Sequence, residues 1–165
     1  MAQDPARANW WWREAPTPAS ARRAVVVDID GVLADARGRQ HHLWDNRDWD
    51  AFFDACGDDP VVDEVRTLLS LLDPSLIVLL VTARPLRVRA LTVTWLDDHG
   101  LRWDLLVMRP TREYAPAASF KRDVVDELRA EGFELELAME DDPRNRAMYL
   151  DAGVPCLYVH SGYYD

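Results

Sequence analysis

Asp28 and Asp30 stand two residues apart at the end of the apolar run Ala24–Val27, and Gly31 follows them. Two carboxylates this close repel one another unless a cation or a shared proton lies between them. A continuous apolar run suits a strand buried on both faces of a parallel sheet. In open α/β sheets, ligands bind beyond the C-terminal ends of such strands. The stretch therefore predicts a Mg²⁺ site with one carboxylate free to attack an electrophile. Later apolar runs end in the same way. Leu76–Val81 leads to Thr82 and Arg84, Asp104–Met108 to Arg109, and Phe133–Met139 to Glu140, Asp141 and Asp142, while Lys121 opens a helix among them. Mg²⁺ takes oxygen ligands and keeps several waters, so two or three carboxylates suffice to hold it. The hydroxyl and the cations can hold phosphate oxygens. One such group alone would carry little weight, but groups at four successive strand ends point to a metal-assisted phosphate site.

Helices must position these ends. Pro60 suits the first position of a helix, and Val61, Val65, Leu68, Leu69 and Leu72 recur at helical spacing. A helix is expected from about Leu86 to His99, stopped by Gly100; another is capped by Ser119 and ends at Gly132; a third runs from Pro143 to Gly153. Pro155–His160 reads as a last strand. Strand and helix alternate, so the expected fold is a three-layer α/β sandwich, a mostly parallel sheet with helices on both faces.

The segment between the first strand and Pro60 is polar and irregular, and the expected domain runs over 24–165 with a small insert at about 37–59. The insert holds a short helix near Asp48–Ala55 and the pair His41-His42. Adjacent histidines rarely face one ion, so they read as packing or substrate contacts rather than metal ligands. Residues 1–23 read as a tail, because Pro5, Pro16 and Pro18 interrupt it. Trp10, Trp11 and Trp12 would lie on the domain surface or meet a partner.

Composition narrows the class. The chain has 165 residues, enough for one domain with a sizeable core, and a formal net charge of −10. That balance argues against broad electrostatic adhesion to nucleic acid or to anionic membrane, though not against a local basic pocket. Two distant cysteines, Cys56 and Cys156, suggest free thiols in a reducing compartment. No apolar run approaches a membrane span, and no secretory leader pattern opens the sequence. The expected location is the cytoplasm.

In the order Asp28-Ile-Asp30-Gly-Val, Thr82, Lys121 and Glu140-Asp141-Asp142, the chain resembles the haloacid dehalogenase (HAD) superfamily of phosphotransferases. Within it, the sequence is similar to the 3′-phosphatase module of phage-type polynucleotide kinase/phosphatase. The shared marks are Arg39 after the first motif, Arg84 two residues past Thr82, the Lys121-Arg-Asp123 element, and Ser161-Gly-Tyr-Tyr164. The 165 residues hold no Gly-x-x-x-x-Gly-Lys-Ser/Thr, the kinase signature.

The resemblance implies roles. Asp28 would be the nucleophile forming an aspartyl-phosphate, and Asp30 the acid and then the base. Asp28, the Asp30 carbonyl and Asp141 would hold Mg²⁺, with Glu140 in support and Asp142 as the fallback ligand. Thr82 and Lys121 would bind the transferring phosphoryl group, and Arg39, Arg84 and Arg109 the substrate side. The implied substrate is a phosphorylated nucleic-acid end, with a separate kinase or ligase as partner. Two other readings stay open: a 5′- or 3′-nucleotidase or other small-molecule phosphatase, and a non-catalytic module of a repair complex that uses Trp10–Trp12 as its contact.

Overall fold

Val25 and Val27 pack into one hydrophobic core and Ala24 and Val26 into another, because alternate residues of a strand face opposite ways. This strand, β3 (Arg22–Val27), sits inside a seven-stranded sheet of the computed structural model, which describes residues 1–14, 22–45 and 47–164. The strands are β1 (Ala2–Gln3), β2 (Trp10–Trp12), β3, β4 (Ile77–Pro85), β5 (Leu105–Arg109), β6 (Phe133–Glu140) and β7 (Cys156–Tyr158), in the order β1-β2-β5-β4-β3-β6-β7. The five strands from β3 onward are mutually parallel; β1 and β2 are antiparallel additions at one edge.

Helices cover both faces, as the alternation of elements requires. Besides α1 (Trp49–Asp54) in the insert, there are α2 (Asp63–Leu71), α3 (Arg89–Asp98), α4 (Ala117–Ala130) and α5 (Pro143–Asp151). Val65 and Leu69 of α2 and Trp95 and Leu96 of α3 fill the core on the Val25 side. Phe120, Val124, Val125 and Leu128 of α4 and Tyr149 of α5 fill the other. Burying a large apolar side chain contributes about 1.5–3 kcal/mol, so these two layers hold the sheet from both sides.

Three local expectations need correction. Pro60 does not begin a helix: its carbonyl accepts from Asp35 N at 2.8 Å and Val61 bridges to Ala34, which ties the two ends of the insert together before α2 starts at Asp63. Ser119 lies inside the first turn of α4, whose cap position is Pro116. Residues 2–12 are not a tail. Trp10, Trp11 and Trp12 pair with Val107, Leu106 and Leu105, and Trp10 and Trp12 are buried. Backbone pairing to an open edge together with indole burial outweighs the local disorder that Pro5 suggests, and it takes Trp10 and Trp12 out of any partner-facing surface. Arg7 lies over Trp10 at 4.5 Å and Arg89 over Trp11 at 3.7 Å, within cation–π range. Of the prolines, Pro16 and Pro18 lie outside the described residues.

Candidate active site

The chain leaves strand geometry where β3 ends. The amides of Leu33 and Ala34 both donate to the Ile29 carbonyl, at 2.9 and 2.8 Å, and Gly31 N donates to Ala34 O at 2.8 Å. Gly31 has φ +82°, and a Cβ there would overlap the Asp141 carboxylate. Glycine is thus needed twice, for the left-handed conformation and for the close approach of Asp141. The tight turn lets Asp28 and Asp30 face different partners although they are two residues apart.

Asp28 faces the end of β6. Asp28, Glu140 and Asp141 are buried, and each offers an oxygen, all within 4.8 Å of one another. Lys121, fully buried at the start of α4, places Nζ 3.0 Å from Asp28 Oδ1 and also forms an ion pair with Glu140. One ammonium does not balance three carboxylates. Burial, then the Glu140 charge, pushes the Asp28 carboxyl up to about 8 despite Lys121. Burial, then the Asp28 charge, pushes Asp141 up to about 7, and burial raises Glu140 as well. Asp141 Oδ2 is buried with no hydrogen-bond partner among the described residues. An orphaned carboxylate oxygen beside two more buried carboxylates suits a hard divalent cation, so the residues present fit Mg²⁺. Asp142 takes no part in this cluster. The expected fallback ligand instead caps α5 by accepting from Arg144 N at 2.8 Å and pairs with the Arg144 guanidinium at 3.0 and 2.8 Å.

A stability prediction follows from the raised carboxyls. An unfolded Asp ionises near pH 3.9. Between about pH 4 and 8 the folded, metal-free protein therefore binds more protons at Asp28 and Asp141 than the unfolded chain does. Its stability falls as pH rises through that window. The Asp30 carboxyl is held low, so its own contribution changes below the window and adds no slope inside it. A divalent cation on the ionised cluster opposes the loss. The expected result is a Tm that declines from pH 5 to 8 in EDTA, with a Mg²⁺-induced increase that grows with pH. A Mg²⁺ increment that stays flat or shrinks would contradict the assignment.

Asp30 faces the insert. Arg84 donates Nε and Nη2 to Asp30 Oδ1 at 3.0 and 2.7 Å, and Arg39 pairs with the same oxygen. Both arginines are buried, and both also reach Asp59. Arg39 is bidentate there, with Nε 2.9 and 3.0 Å from the two oxygens and Nη2 at 2.7 Å. Burial opposes ionisation of Asp30, but Arg84 and Arg39 outweigh it and hold the carboxyl below its ordinary value. Arg39 and Arg84, expected on the substrate side, direct most of their N–H groups to these two aspartates, and each donates once elsewhere, Arg39 Nη1 to the Phe52 carbonyl at 3.2 Å and Arg84 Nη1 to Thr92 Oγ1 at 3.3 Å. Asp59 itself was missed. Asp58-Asp59 before Pro60 reads in sequence as a solvated turn, and only the fold shows that Asp59 closes the neck of the insert and accepts from both arginines. Its backbone carbonyl also accepts from Trp95 Nε1 at 2.7 Å.

The remaining candidates lie on the same strand ends. Thr82 is fully buried, and its Oγ1 accepts from Arg84 N at 3.2 Å. Arg109, at the end of β5, lies over Phe120 at 5.7 Å; its Nε is buried without a hydrogen-bond partner among the described residues, and burial lowers its pKa. His41 turns to the Gly38 carbonyl, with its Nδ1 at 2.9 Å, and neither His41 nor His42 joins the carboxylate cluster. The insert consists of a 3₁₀ turn over Ala36–Leu43, α1, and a second 3₁₀ turn over Cys56–Asp58. Arg87, beyond β4, pairs with Asp50 and Asp54 of α1 and clasps the insert to the sheet domain. The tyrosines near the C-terminal end also converge here: Tyr163 Oη donates to Asp35 Oδ1 at 3.1 Å, and its ring borders Gly31.

Paired aspartates after a buried parallel strand, a lysine on the neighbouring helix and an acidic pair after a third strand, all on one edge of the sheet, define a phosphatase of the HAD superfamily. Residues 22–164 match the family described as the polynucleotide kinase PNKP phosphatase domain, and the chain belongs to that family. Among solved structures, one from the Pnkp1/Rnl/Hen1 RNA repair complex is 23% identical with a TM-score of 0.73, covering 88% of this chain and 45% of that one. A second structure of the Pnkp1/Rnl/Hen1 complex gives 22% and 0.72, covering 94% of this chain and 51% of that one. A HAD-like phosphatase from Mesorhizobium loti gives 12% and 0.58, covering 93% and 80%. The chain thus spans about half the length of the repair-complex chains it matches. The search of curated proteins found no match. No helix among the described residues is long and apolar enough to cross a membrane.

Proposed function

We propose that the protein is a Mg²⁺-dependent phosphomonoesterase that forms an aspartyl-phosphate on Asp28, and that its substrate is a 3′-phosphorylated nucleic-acid end. The observation that carries the reading is the buried Asp28–Lys121–Glu140–Asp141 cluster in a chain of the PNKP phosphatase family. Asp28, Asp141 and the Asp30 carbonyl would hold Mg²⁺, which would supply charge neutralisation to a bound phosphate. Asp28 attacks phosphorus as the bond to the leaving oxygen breaks, and Lys121 stabilises the charge on the aspartyl-phosphate. Thr82 donates its hydroxyl to a phosphoryl oxygen, and Arg109 faces the outer, substrate side. Asp30 gives a proton to the leaving oxygen and later takes one from water, whose oxygen bonds to phosphorus as the bond from phosphorus to Asp28 breaks, releasing inorganic phosphate and the free Asp28 carboxylate. Substrate phosphate competes with Asp30 for the N–H groups of Arg39 and Arg84, and that exchange frees Asp30 to carry the proton.

The small insert leaves room for a polymeric end, and the repair-complex likeness favours action beside a separate kinase or ligase. Two free thiols support a cytoplasmic setting. A nucleotidase is the second reading, favoured by the net charge of −10. The test is a set of kcat/KM values for 3′- and 5′-phosphorylated versions of one short oligonucleotide and one nucleotide, with Mg²⁺, with Ca²⁺ and with EDTA. Preference for the 3′-phosphate, loss in EDTA and poor rescue by Ca²⁺, which takes more ligands at longer distances, are expected. Preference for a 5′-nucleotide would leave the nucleotidase standing.

A further inference from the structure

Tyr164 is 45% exposed, yet it is not a free side chain. The residue before it is pinned on both sides. Tyr163 Oη donates to Asp35, Tyr163 N donates to Ser161 Oγ at 3.3 Å, and the Tyr163 ring borders Gly31 of the Asp28–Asp30 turn. Arg144 lies over the Tyr164 ring at 5.7 Å, and Asp142 in turn fixes that guanidinium through two hydrogen bonds. An aromatic ring is therefore held, with one side backed by a cation, beside the acidic cluster. Burial, then the charges of Asp141, Asp142 and Asp28, pushes the Tyr164 hydroxyl up, which agrees with a position close to the nucleophile. The part of the ring that stays exposed offers a face to a flat, apolar ligand group, because every nucleobase has a π face and stacks on such a platform without sequence preference.

We propose that Tyr164, backed by Arg144 and fixed by Asp142, is the platform on which the base of the phosphorylated nucleoside stacks. This rests on the phosphomonoesterase reading above and names the group beyond the phosphate that the site recognises. The stacked base comes from an oligonucleotide end or from a free nucleotide, and the two are separated by testing both.

The experiment compares base-bearing and base-free substrates in the full chain, for wild type, Tyr164→Phe, Tyr164→Leu and Tyr164→Ala. The pairs are a 3′-phosphorylated oligonucleotide with a normal or an abasic terminal sugar, a 3′-nucleotide with its base-free sugar phosphate, and a 5′-nucleotide with ribose 5-phosphate. The readout is the ratio of kcat/KM within each pair. Loss of a base–aromatic stack corresponds to roughly a 5- to 140-fold change. The ratio should exceed one in wild type, persist in Tyr164→Phe, and fall by about that range in Tyr164→Leu and Tyr164→Ala. Leucine keeps the apolar bulk without the π face, so a packing role alone would leave its ratio at the wild-type value and overturn the proposal. A wild-type enzyme that treats both members of every pair alike overturns it too. A fall in the oligonucleotide pair alone assigns the platform to polymer ends, and a fall in every pair assigns it to the nucleoside itself. Failure of the 3′-phosphatase reading shows elsewhere, in the wild-type preference between 3′ and 5′ phosphates, while the 5′ pair still tests the ring.

Discussion

Asp28→Asn should abolish turnover of a simple aryl phosphate, by several powers of ten in kcat, while the protein stays folded. The substitution removes the attacking oxygen's charge and almost no volume. The position is buried and sits 3.0 Å from Lys121 Nζ. Nucleophiles act as part of a unit, and removing one member of such a unit costs nearly as much as removing the whole. Stability should rise rather than fall in metal-free buffer above pH 4, since one of three mutually repelling carboxylates is gone. Steady-state kinetics and thermal unfolding of the same preparation read both effects. Retention of more than about a tenth of wild-type activity would defeat the covalent mechanism.

The second large effect is at Arg84. Arg84→Ala should destabilise the protein by about 3–5 kcal/mol, because it strips a buried guanidinium from two aspartates that stay behind. Asp30 keeps Arg39 as its partner, but Asp30 and Asp59 then share one guanidinium where they now share two. Independently, kcat/KM should drop about ten- to a hundredfold or more if Arg84 passes its donors to the phosphate, at roughly 1.5–3 kcal/mol for a charge-assisted hydrogen bond. Arg84→Lys should recover part of the stability and little of the activity, since an ammonium cannot reproduce the planar guanidinium that places Nε and Nη2 together on Asp30 Oδ1 and reaches Asp59 as well. Denaturant midpoints and kinetics at a temperature where all variants are folded separate the two losses. A wild-type denaturant midpoint in Arg84→Ala would show that the buried cluster is not what holds the insert to the sheet.

The acidic and basic groups at the strand ends were legible because each follows an apolar run, and the sheet must deliver the ends of parallel strands to one edge. Asp28, Asp30, Thr82, Arg84, Arg109 and Glu140–Asp142 needed only that periodicity. What sequence could not give was which of them talk to each other. Arg39 and Arg84 read as cations awaiting a phosphate; three-dimensional closure of the insert turns them toward Asp30 and Asp59. Asp142 reads as a third acid in a row, but the turn into α5 uses it as a cap. Tyr164 and Arg144 are twenty residues apart in the chain and meet because β7, parallel to β6, returns the chain after α5 to the edge where α5 begins. Trp10–Trp12 failed for a related reason. A three-residue strand carries almost no periodic signal, and its stability comes entirely from an edge that lies nearly a hundred residues away in sequence.

That edge has a practical meaning for anyone who trims the gene. The family match begins at residue 22, ten residues past the last tryptophan of β2. Cutting there would leave β5 as the outer strand, with the donors and acceptors that Asn9 and Trp10–Trp12 now engage turned to solvent and Val107 and Leu105 bared beside them. An open, apolar strand of that kind is a template for sticking to a second copy. The unit of ancestry that the family delimits and the unit whose β5 edge is covered are therefore different lengths of this chain.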